Sequence, residues 1–531
     1  MPRFSVDGVE YEAAEGSTIL QALDDAGVLM NGVDVPHYCW HPKLSIDGSC
    51  RLCQVEVEGA PKLQIACNTP VQDGMVVHTQ TERVRRAREG VMELLLVNHP
   101  LDCPICDQAG ECKLQDYAFE YGVTQSRTRE PRRALKKKVE LGPTIVFDQE
   151  RCILCRRCVR FCREVPGSGE LAVFNRGDHS VIETFPGSEL DNPYSMNVAD
   201  ICPVGALTTK DFRFKIRVWF LEDVEGVCGG CANGCNILMG VANNKVYRYV
   251  PRRNDAVNET WLCDAGRMSY GEIGSATRIQ RAEVRGPDGV MEPRSFDSAV
   301  EEAAVRLRAL VAAKGAGVVA GLASAHATNE DLFVFKRFLD GLETECAGVA
   351  VLEGAADELL VKPEKAANAA GARAIGFGEA GPVVERIRGG GIDGLVMMGH
   401  DLLASGALEA ETLAHLDTVI LVDTHQSELE RVAHVVLPAR HAAEKHGTLT
   451  NFAGRVQRVR PAVEPRFEAR AEGEAIAMLG AALGLSGFDG DYDVRAVSKA
   501  LSEALPAFRD IDLDSLGPEG AALRGAEEAS A

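Results

Sequence analysis

The chain has 531 residues, 46% of them apolar, with 57 Lys+Arg against 78 Asp+Glu and a net charge of −21. That length calls for several domains, and the acidic balance argues against nucleic acid as the main partner, since phosphate binding wants a basic face. Residues 1–9 are polar and strand-like rather than a signal peptide, and the best candidate span, 475–485, is too short to cross a bilayer, so we expect a soluble protein that can dock on a membrane complex.

Seventeen cysteines carry the information; sixteen lie between Cys39 and Cys263, and only Cys346 lies beyond. A disulfide framework belongs to small secreted domains, whereas this chain is long and groups its cysteines as CxxC, which suits metal chelation.

Residues 1–80 read as a compact β-rich unit. Strands Arg3–Val6 and Val9–Glu12 flank Asp7-Gly8, a hairpin signal. Ser17 or Thr18 can cap a helix through Ala26, closed by Gly27. The unit carries Cys39-x10-Cys50-x2-Cys53-x13-Cys67, four thiolates able to ligate a 2Fe–2S cluster, with Gly48 letting the backbone pass close. The spacing differs from the plant-type ferredoxin, which has x4 where this chain has x10.

Residues 81–122 begin with a charged helix, Glu82–Leu96, and continue into HPLDCPICDQAGEC. Cys103, Cys106 and Cys112 lack a fourth thiol, and His99 stands where it is needed; imidazole is an accepted iron ligand. A neutral ligand in place of a thiolate raises the potential. Residues 123–215 open with a basic, Pro-interrupted segment (123–140), which reads as a linker or docking strap or as a solvated charged stretch. The run Cys152-x2-Cys155-x2-Cys158-x3-Cys162 follows, with a distant Cys202-Pro203. A second CxxCxxC shortly before Cys202 is missing, so one 4Fe–4S cluster is expected on Cys152, Cys155, Cys158 and Cys202. Cys162 is left as a relic or buried apolar residue. Arg151, Arg156, Arg157 and Arg160 surround this run and would raise its potential, grip a partner or simply face solvent.

Residues 216–274 hold Cys228-x2-Cys231-x3-Cys235-x27-Cys263, which suits a third 4Fe–4S cluster or, equally by spacing, a closed zinc site. From 275 to 465 apolar runs at 317–322, 394–398 and 418–422 alternate with helical stretches, suggesting α/β layers on a parallel sheet. The tail, 466–531, is Ala/Glu-rich and reads as helical, loosening near Ser530. Gly376-Phe377-Gly378-Glu379-Ala380-Gly381 fits GxGxxG, but chance matches are expected among 52 glycines and Asp393 sits early for a dinucleotide site.

The four sets in this order, with HPLDCPICDQAGEC, DQERCILCRRCVRFC and ICPVGALT, resemble the large iron–sulfur subunit of NADH:quinone oxidoreductase, respiratory complex I, over residues 1–275. The resemblance implies an α+β and α/β multidomain chain. Its parts are a ubiquitin-like (β-grasp) 2Fe–2S ferredoxin domain, a His/Cys3 4Fe–4S domain, a 4Fe–4S ferredoxin-like domain and a 4Fe–4S domain of the molybdopterin-enzyme type. It favours iron over zinc at the fourth set, which only some family members carry, thought to lie off the main path. Residues 434–457, HVVLPARHAAEKHGTLTNFAGRVQ, resemble the molybdopterin oxidoreductase domain, here shortened and without its cofactor. Cys346 lacks the Cys-His-Gly setting of a molybdenum ligand and reads as a core thiol.

By that resemblance the chain passes electrons from a flavin-containing NADH-oxidising subunit toward quinone-side iron–sulfur subunits, binds no NAD, FMN or molybdopterin itself, and performs no substrate chemistry. Proton translocation belongs to the whole complex. Rival readings are a molybdenum enzyme, an iron-only hydrogenase (which needs further cysteines), a multi-zinc scaffold, and the electron-transfer subunit of an NAD-linked hydrogenase or formate dehydrogenase. Free thiolates need reducing conditions, which places the chain at the cytoplasmic side of the inner (plasma) membrane as a peripheral component.

Overall fold

The computed structural model describes residues 1–525 and divides into two compact units, Met1–Leu221 and the chain from Glu222 onward. The predicted looseness near Ser530 lies outside the described residues.

The first unit begins with strands β1 (Arg3–Val6), β2 (Val9–Glu12), β3 (Gln54–Val57), β4 (Gln64–Ile65) and β5 (Met75–His78), in spatial order β2-β1-β5-β3-β4. The β1–β2 hairpin turns on Asp7 and Gly8, both at positive φ (48° and 86°), as an Asp-Gly hairpin turn requires. β5 returns parallel to β1, with Phe4 opposite Met75. The helix Ile19–Asp25 is capped by Thr18, whose side chain accepts from the Gln21 N–H in a capping box. Phe4, Val6, Ile19, Leu20, Leu23, Val35, Val55 and Val77 form the core beneath it, the β-grasp arrangement that the resemblance implies.

The helices Glu82–Leu96 and Lys113–Tyr121 follow. Arg88, fully buried, ties them to the sheet: it donates to Tyr121 Oη at 2.9 Å and to the Gln54 carbonyl at 3.2 Å. A small sheet of β6 (Val139–Glu140), β7 (Ile145–Phe147) and β10 (Leu207–Thr209), a hairpin of β8 (Leu171–Phe174) and β9 (Val181–Thr184), and the helix Arg157–Glu164 complete the unit.

The second unit opens with the antiparallel sheet β11 (Glu222–Val227), β12 (Asn236–Ala242) and β13 (Lys245–Pro251). An eight-stranded sheet follows: β14 (Ala282–Arg285), β15 (Met291–Arg294), β16 (Val319–Ser324), β17 (Ala347–Ala350), β18 (Gly378–Glu379), β19 (Gly394–Met398), β20 (Thr418–Asp423) and β21 (Val435–Pro438). Its order is β15-β14-β21-β20-β19-β16-β17-β18, parallel from β21 to β18, with β14 and β15 antiparallel at one edge. Side chains alternate between two buried layers: Val396, Met398, Ile420 and Val422 face one, Leu395, Met397, Val419 and Leu421 the other. Burial on both faces explains why these strands read as unbroken apolar runs.

β22 (Gly447–Thr450), β23 (Arg455–Val459) and β24 (Ala521–Ala522) make a last sheet. The tail is helical over Glu472–Leu483 and Val494–Ala504, as its composition suggests, but then returns as β24 to pair with β23, which its composition does not signal.

Buried charges hold this unit. Arg278 pairs with Glu444 at 2.7 Å, and Lys445 Nζ reaches Asp331 at 2.8 Å and also Glu472. Glu330 accepts from Thr448 N at 2.7 Å and Ser498 Oγ at 3.0 Å, yet burial pushes it up to about 7. The folded state therefore keeps a proton between the ordinary value of 4.5 and about 7 that the unfolded chain has released. This contribution to stability is full below that window and is lost as pH rises through it. Glu330→Gln should flatten the fall; denaturant unfolding across the window, with an unchanged slope in the variant, would refute this reading of Glu330.

Candidate metal centres

In the first set Cys39 precedes Trp40 in a loop, Cys50 and Cys53 lead into β3, and Cys67 follows β4. The four thiols converge. Cys39 accepts hydrogen bonds from Cys50 and Cys67, and Cys53 accepts from Cys67; these contacts hold Cys39 and Cys53 low and push Cys50 and Cys67 up. Gly48 has φ +66°, and a Cβ there would lie 3.3 Å from Ile65 Cδ1, so a side chain would crowd the loop.

In the second set Cys103 starts a short turn and stays exposed, whereas Cys106 and Cys112 are buried. Burial pushes Cys112 up to about 11. Burial also lowers His99 to about 4, which leaves the imidazole neutral, the form a metal ligand needs. Its Nδ1 is buried without a hydrogen-bond partner among the described residues. The charged neighbours of His99 are Asp102, Arg151, Arg132 and Lys137. Backbone from the third set closes this site: Cys112 Sγ is 3.9 Å from the Pro203 carbonyl, and a Cβ on Gly205 would stand 2.3 Å from Cys106 Sγ.

The third set brings Cys152, Cys155 and Cys158 together with Cys202 around an apolar cavity walled by Phe147, Ile153, Ile182, Val204 and Leu207. Leu154 and Arg156 are left-handed (φ 53° and 59°), which curls the backbone round the thiols; Leu154 N donates to Cys152 Sγ at 3.4 Å. Burial pushes Cys202 up to about 12. Cys162 is fully buried; burial, then the Glu170 carboxylate beside it, pushes its thiol up. It does not line the cavity.

The arginines of the third run, read from sequence as surrounding their own site, reach to the other sets. Arg151 pairs with Asp102 at 2.7 Å, beside the second set. Arg156 pairs with Asp47 at 2.5 Å, and Arg160 donates to the Cys39 and Ser45 carbonyls of the first loop. The adjoining Lys137 of the basic segment reaches Asp102 at 3.4 Å and Glu150 at 2.6 Å, so this part of the segment is a strap across the second site.

In the fourth set Cys228, Cys231, Cys235 and Cys263 are all buried. Cys263 Sγ caps the helix Asp264–Met268 by accepting from Gly266 N at 3.3 Å. A Cβ on Gly266 would lie 2.9 Å from Cys228 Sγ and 3.2 Å from Cys263 Sγ. Asn233 Nδ2 donates to Cys235 Sγ at 3.1 Å. The loop is held by residues far along the chain: Asn451 Nδ2 donates to the Asn233 carbonyl at 3.2 Å and Gln457 Nε2 to the Gly234 carbonyl at 2.9 Å. Gly205, Gly266, Asn451 and Gln457 do not stand out in the sequence; only the Cys-x-x-Gly spacing at 263–266 offers a signal.

Among the described residues no three His, Cys, Asp or Glu side chains stand close enough to hold one bare metal ion. The donors still fit iron–sulfur cores: buried thiols that lose their protons only when a cation compensates, a neutral imidazole with an unpaired nitrogen, and glycines where a Cβ would strike ligand sulfur.

Elsewhere, Cys346 is buried just before the N-terminal end of β17, with Arg386 nearby. In the GxGxxG stretch Gly376 ends a helix, and the strand lies inside the motif as two-residue β18 at the sheet edge, unlike the strand–turn–helix of a dinucleotide site. At the opposite, C-terminal ends of β16, β19 and β20, Ser324 donates to Asp401 at 2.6 Å and His400 pairs with Asp423 at 2.7 Å.

Ferredoxin-type folds built round such sets define an iron–sulfur electron-transfer protein. Family models match in chain order: a 2Fe-2S iron-sulfur cluster binding domain (2–82) and the NADH-ubiquinone oxidoreductase-G iron-sulfur binding region (88–127). Next come the ferredoxin-like domain of NADH-quinone oxidoreductase subunit 3 (142–208), an NDSU1/NuoG-like 4Fe-4S domain (221–271) and molybdopterin oxidoreductase (358–481). The chain is 41% identical over 342 residues to the G subunit of NADH-quinone oxidoreductase from Rickettsia conorii, covering 64% of this chain and 49% of that one. It is 45% identical over 265 residues to the NADH-ubiquinone oxidoreductase 75 kDa subunit of Reclinomonas americana, covering 50% of this chain and 38% of that one. A crystal structure of an NAD+-reducing NiFe-hydrogenase in the H2-reduced state matches at 30% identity and TM-score 0.36, over 41% of this chain and 91% of that chain. The chain is thus a homologue of the large iron–sulfur subunits of NADH-quinone oxidoreductase, and spans about half the length of the Rickettsia relative.

Gly205→Ala should displace Cys106 and cost the second set its cluster. Iron per chain would fall by about four, with the 2Fe–2S signal intact. Full iron content in the variant would show that the close approach is not required.

Proposed function

We propose that the chain is an iron–sulfur electron-transfer subunit of an NADH:quinone oxidoreductase, passing electrons from a flavin-containing subunit toward quinone-side iron–sulfur subunits. Proton translocation is a property of the whole complex. The observation that carries the reading is the linkage of three ligand sets within one unit, each joined to its neighbour by backbone or arginine contacts.

The ligands we assign are Cys39, Cys50, Cys53 and Cys67 for a 2Fe–2S cluster, and His99, Cys103, Cys106 and Cys112 for a 4Fe–4S cluster. Cys152, Cys155, Cys158 and Cys202 hold a second 4Fe–4S cluster, and Cys228, Cys231, Cys235 and Cys263 a third. The match to a 4Fe-4S domain over 221–271 favours iron over zinc at the last. When bound, the clusters supply reversible one-electron chemistry. The chain's own residues supply ligands, exclude water and aim backbone N–H groups at sulfur, as Leu154 and Gly266 do. Arg160 fixes the first loop against the third set and Gly205 lets the third approach the second, giving the spatial order first, third, second.

The domain boundaries follow the sets: 1–80, 81–122, 123–215 and 216–274, then a molybdopterin-oxidoreductase-like domain at 275–465 and a tail at 466–531. That domain serves as a scaffold without molybdopterin. Cys346 supports this, because it sits at the N-terminal edge of the sheet, away from the strand ends where open α/β sheets bind ligands. No helix among the described residues is long and apolar enough to cross a membrane. We place the chain peripherally, at the cytoplasmic side of the inner membrane.

Anaerobically purified chain should be brown and carry about fourteen iron atoms with matching sulfide. About two iron atoms, or stoichiometric zinc, would overturn the four-cluster assignment. His99→Ala should remove the second cluster's EPR signal alone; its persistence would exclude His99 as ligand.

A further inference from the structure

Arg157 lines the third cavity with Cys155, Cys158 and Cys202. Its two terminal nitrogens point to different sets. Nη1 donates at 3.2 Å to the Ile201 carbonyl, next to Cys202, and Nη2 donates to the Trp40 carbonyl, next to Cys39. The guanidinium has Cys155 and Cys202 on one side and Cys50 and Cys39 on the other as its electrostatic neighbours. Its Nε is buried with no acceptor among the described residues. The neighbouring Arg160, one turn along the same helix, already clamps the first loop through the Cys39 and Ser45 carbonyls. Mechanical linkage therefore does not depend on Arg157 alone.

Each electron that enters a ligand set adds negative charge in a place water does not reach, and a nearby buried cation offsets that cost. An arginine keeps its charge at any physiological pH. We propose that Arg157 is a potential-setting residue shared by the first and third clusters: one guanidinium raises both potentials together and so keeps the step between them small. This rests on the ligand assignments above. Arg157 forms no bond to iron and takes no part in the electron's path; it acts through charge on both sets.

The test is an EPR-monitored redox titration of the full chain carrying its clusters, comparing wild type with Arg157→Gln and Arg157→Lys. In Arg157→Gln the equilibrium constant for reducing both the first and the third cluster should fall about tenfold, a shift of about 59 mV for a one-electron couple. The second cluster should not move and serves as internal reference. Arg157→Lys, which keeps the charge, should hold both potentials at their wild-type values. A shift in neither cluster or in only one, or a lysine variant that moves as far as the glutamine variant, overturns the proposal. If Arg157→Gln loses its clusters, the lysine variant decides: both clusters at wild-type potentials support the role of charge, and their loss rejects it. Absence of cluster signals in the wild type would instead reject the ligand assignment itself.

Discussion

Everything in the first unit follows from burying sulfur donors where water does not reach. A thiolate in such a place must be met by positive charge or by hydrogen-bond donors, or it takes a proton and ceases to be a ligand. The chain meets the need in three ways. Left-handed residues at 154 and 156 turn N–H groups inward. Glycines at 48 and 205 remove side chains where sulfur must come close. Arginines reach from one loop to the next, so the charge that steadies one set also binds its neighbour. Ligation and domain packing are one arrangement rather than two.

The second unit solves a different problem. Its eight-stranded sheet is covered on both faces and is stable without a ligand at its strand ends, where buried ion pairs such as Arg278–Glu444 join separate elements. Within it, the turn between β22 and β23 supplies Asn451 and β23 itself Gln457 to the loop of the fourth set. A domain of the molybdopterin type thus serves as a prop for a cysteine loop.

Much of this was legible in the sequence because ligand spacing is a local property. CxxC groups, the Asp7-Gly8 hairpin, the Thr18 cap and the parallel strands need only a few neighbouring residues to declare themselves. What remained hidden depends on approach between distant segments. Gly205 looks like any glycine until Cys106 is found against it. Arg151, Arg156 and Arg160 look like dressing for their own run, and no spacing rule says that their side chains extend to loops about fifty to a hundred and twenty residues earlier. The antiparallel β14–β15 edge and the return of β24 are long-range pairings of the same kind.

The hold of Asn451 and Gln457 on the fourth set also bears on synthesis at the ribosome. The first three sets have all their ligands and mutual contacts within the first 221 residues, so they can be loaded while the rest is still being made. The fourth has all its cysteines by residue 263, yet its loop waits for partners more than two hundred residues beyond it, exposing free thiols to oxygen through that interval. Of the four, it is the one whose loading depends most on how fast, and under how much oxygen, the chain is made.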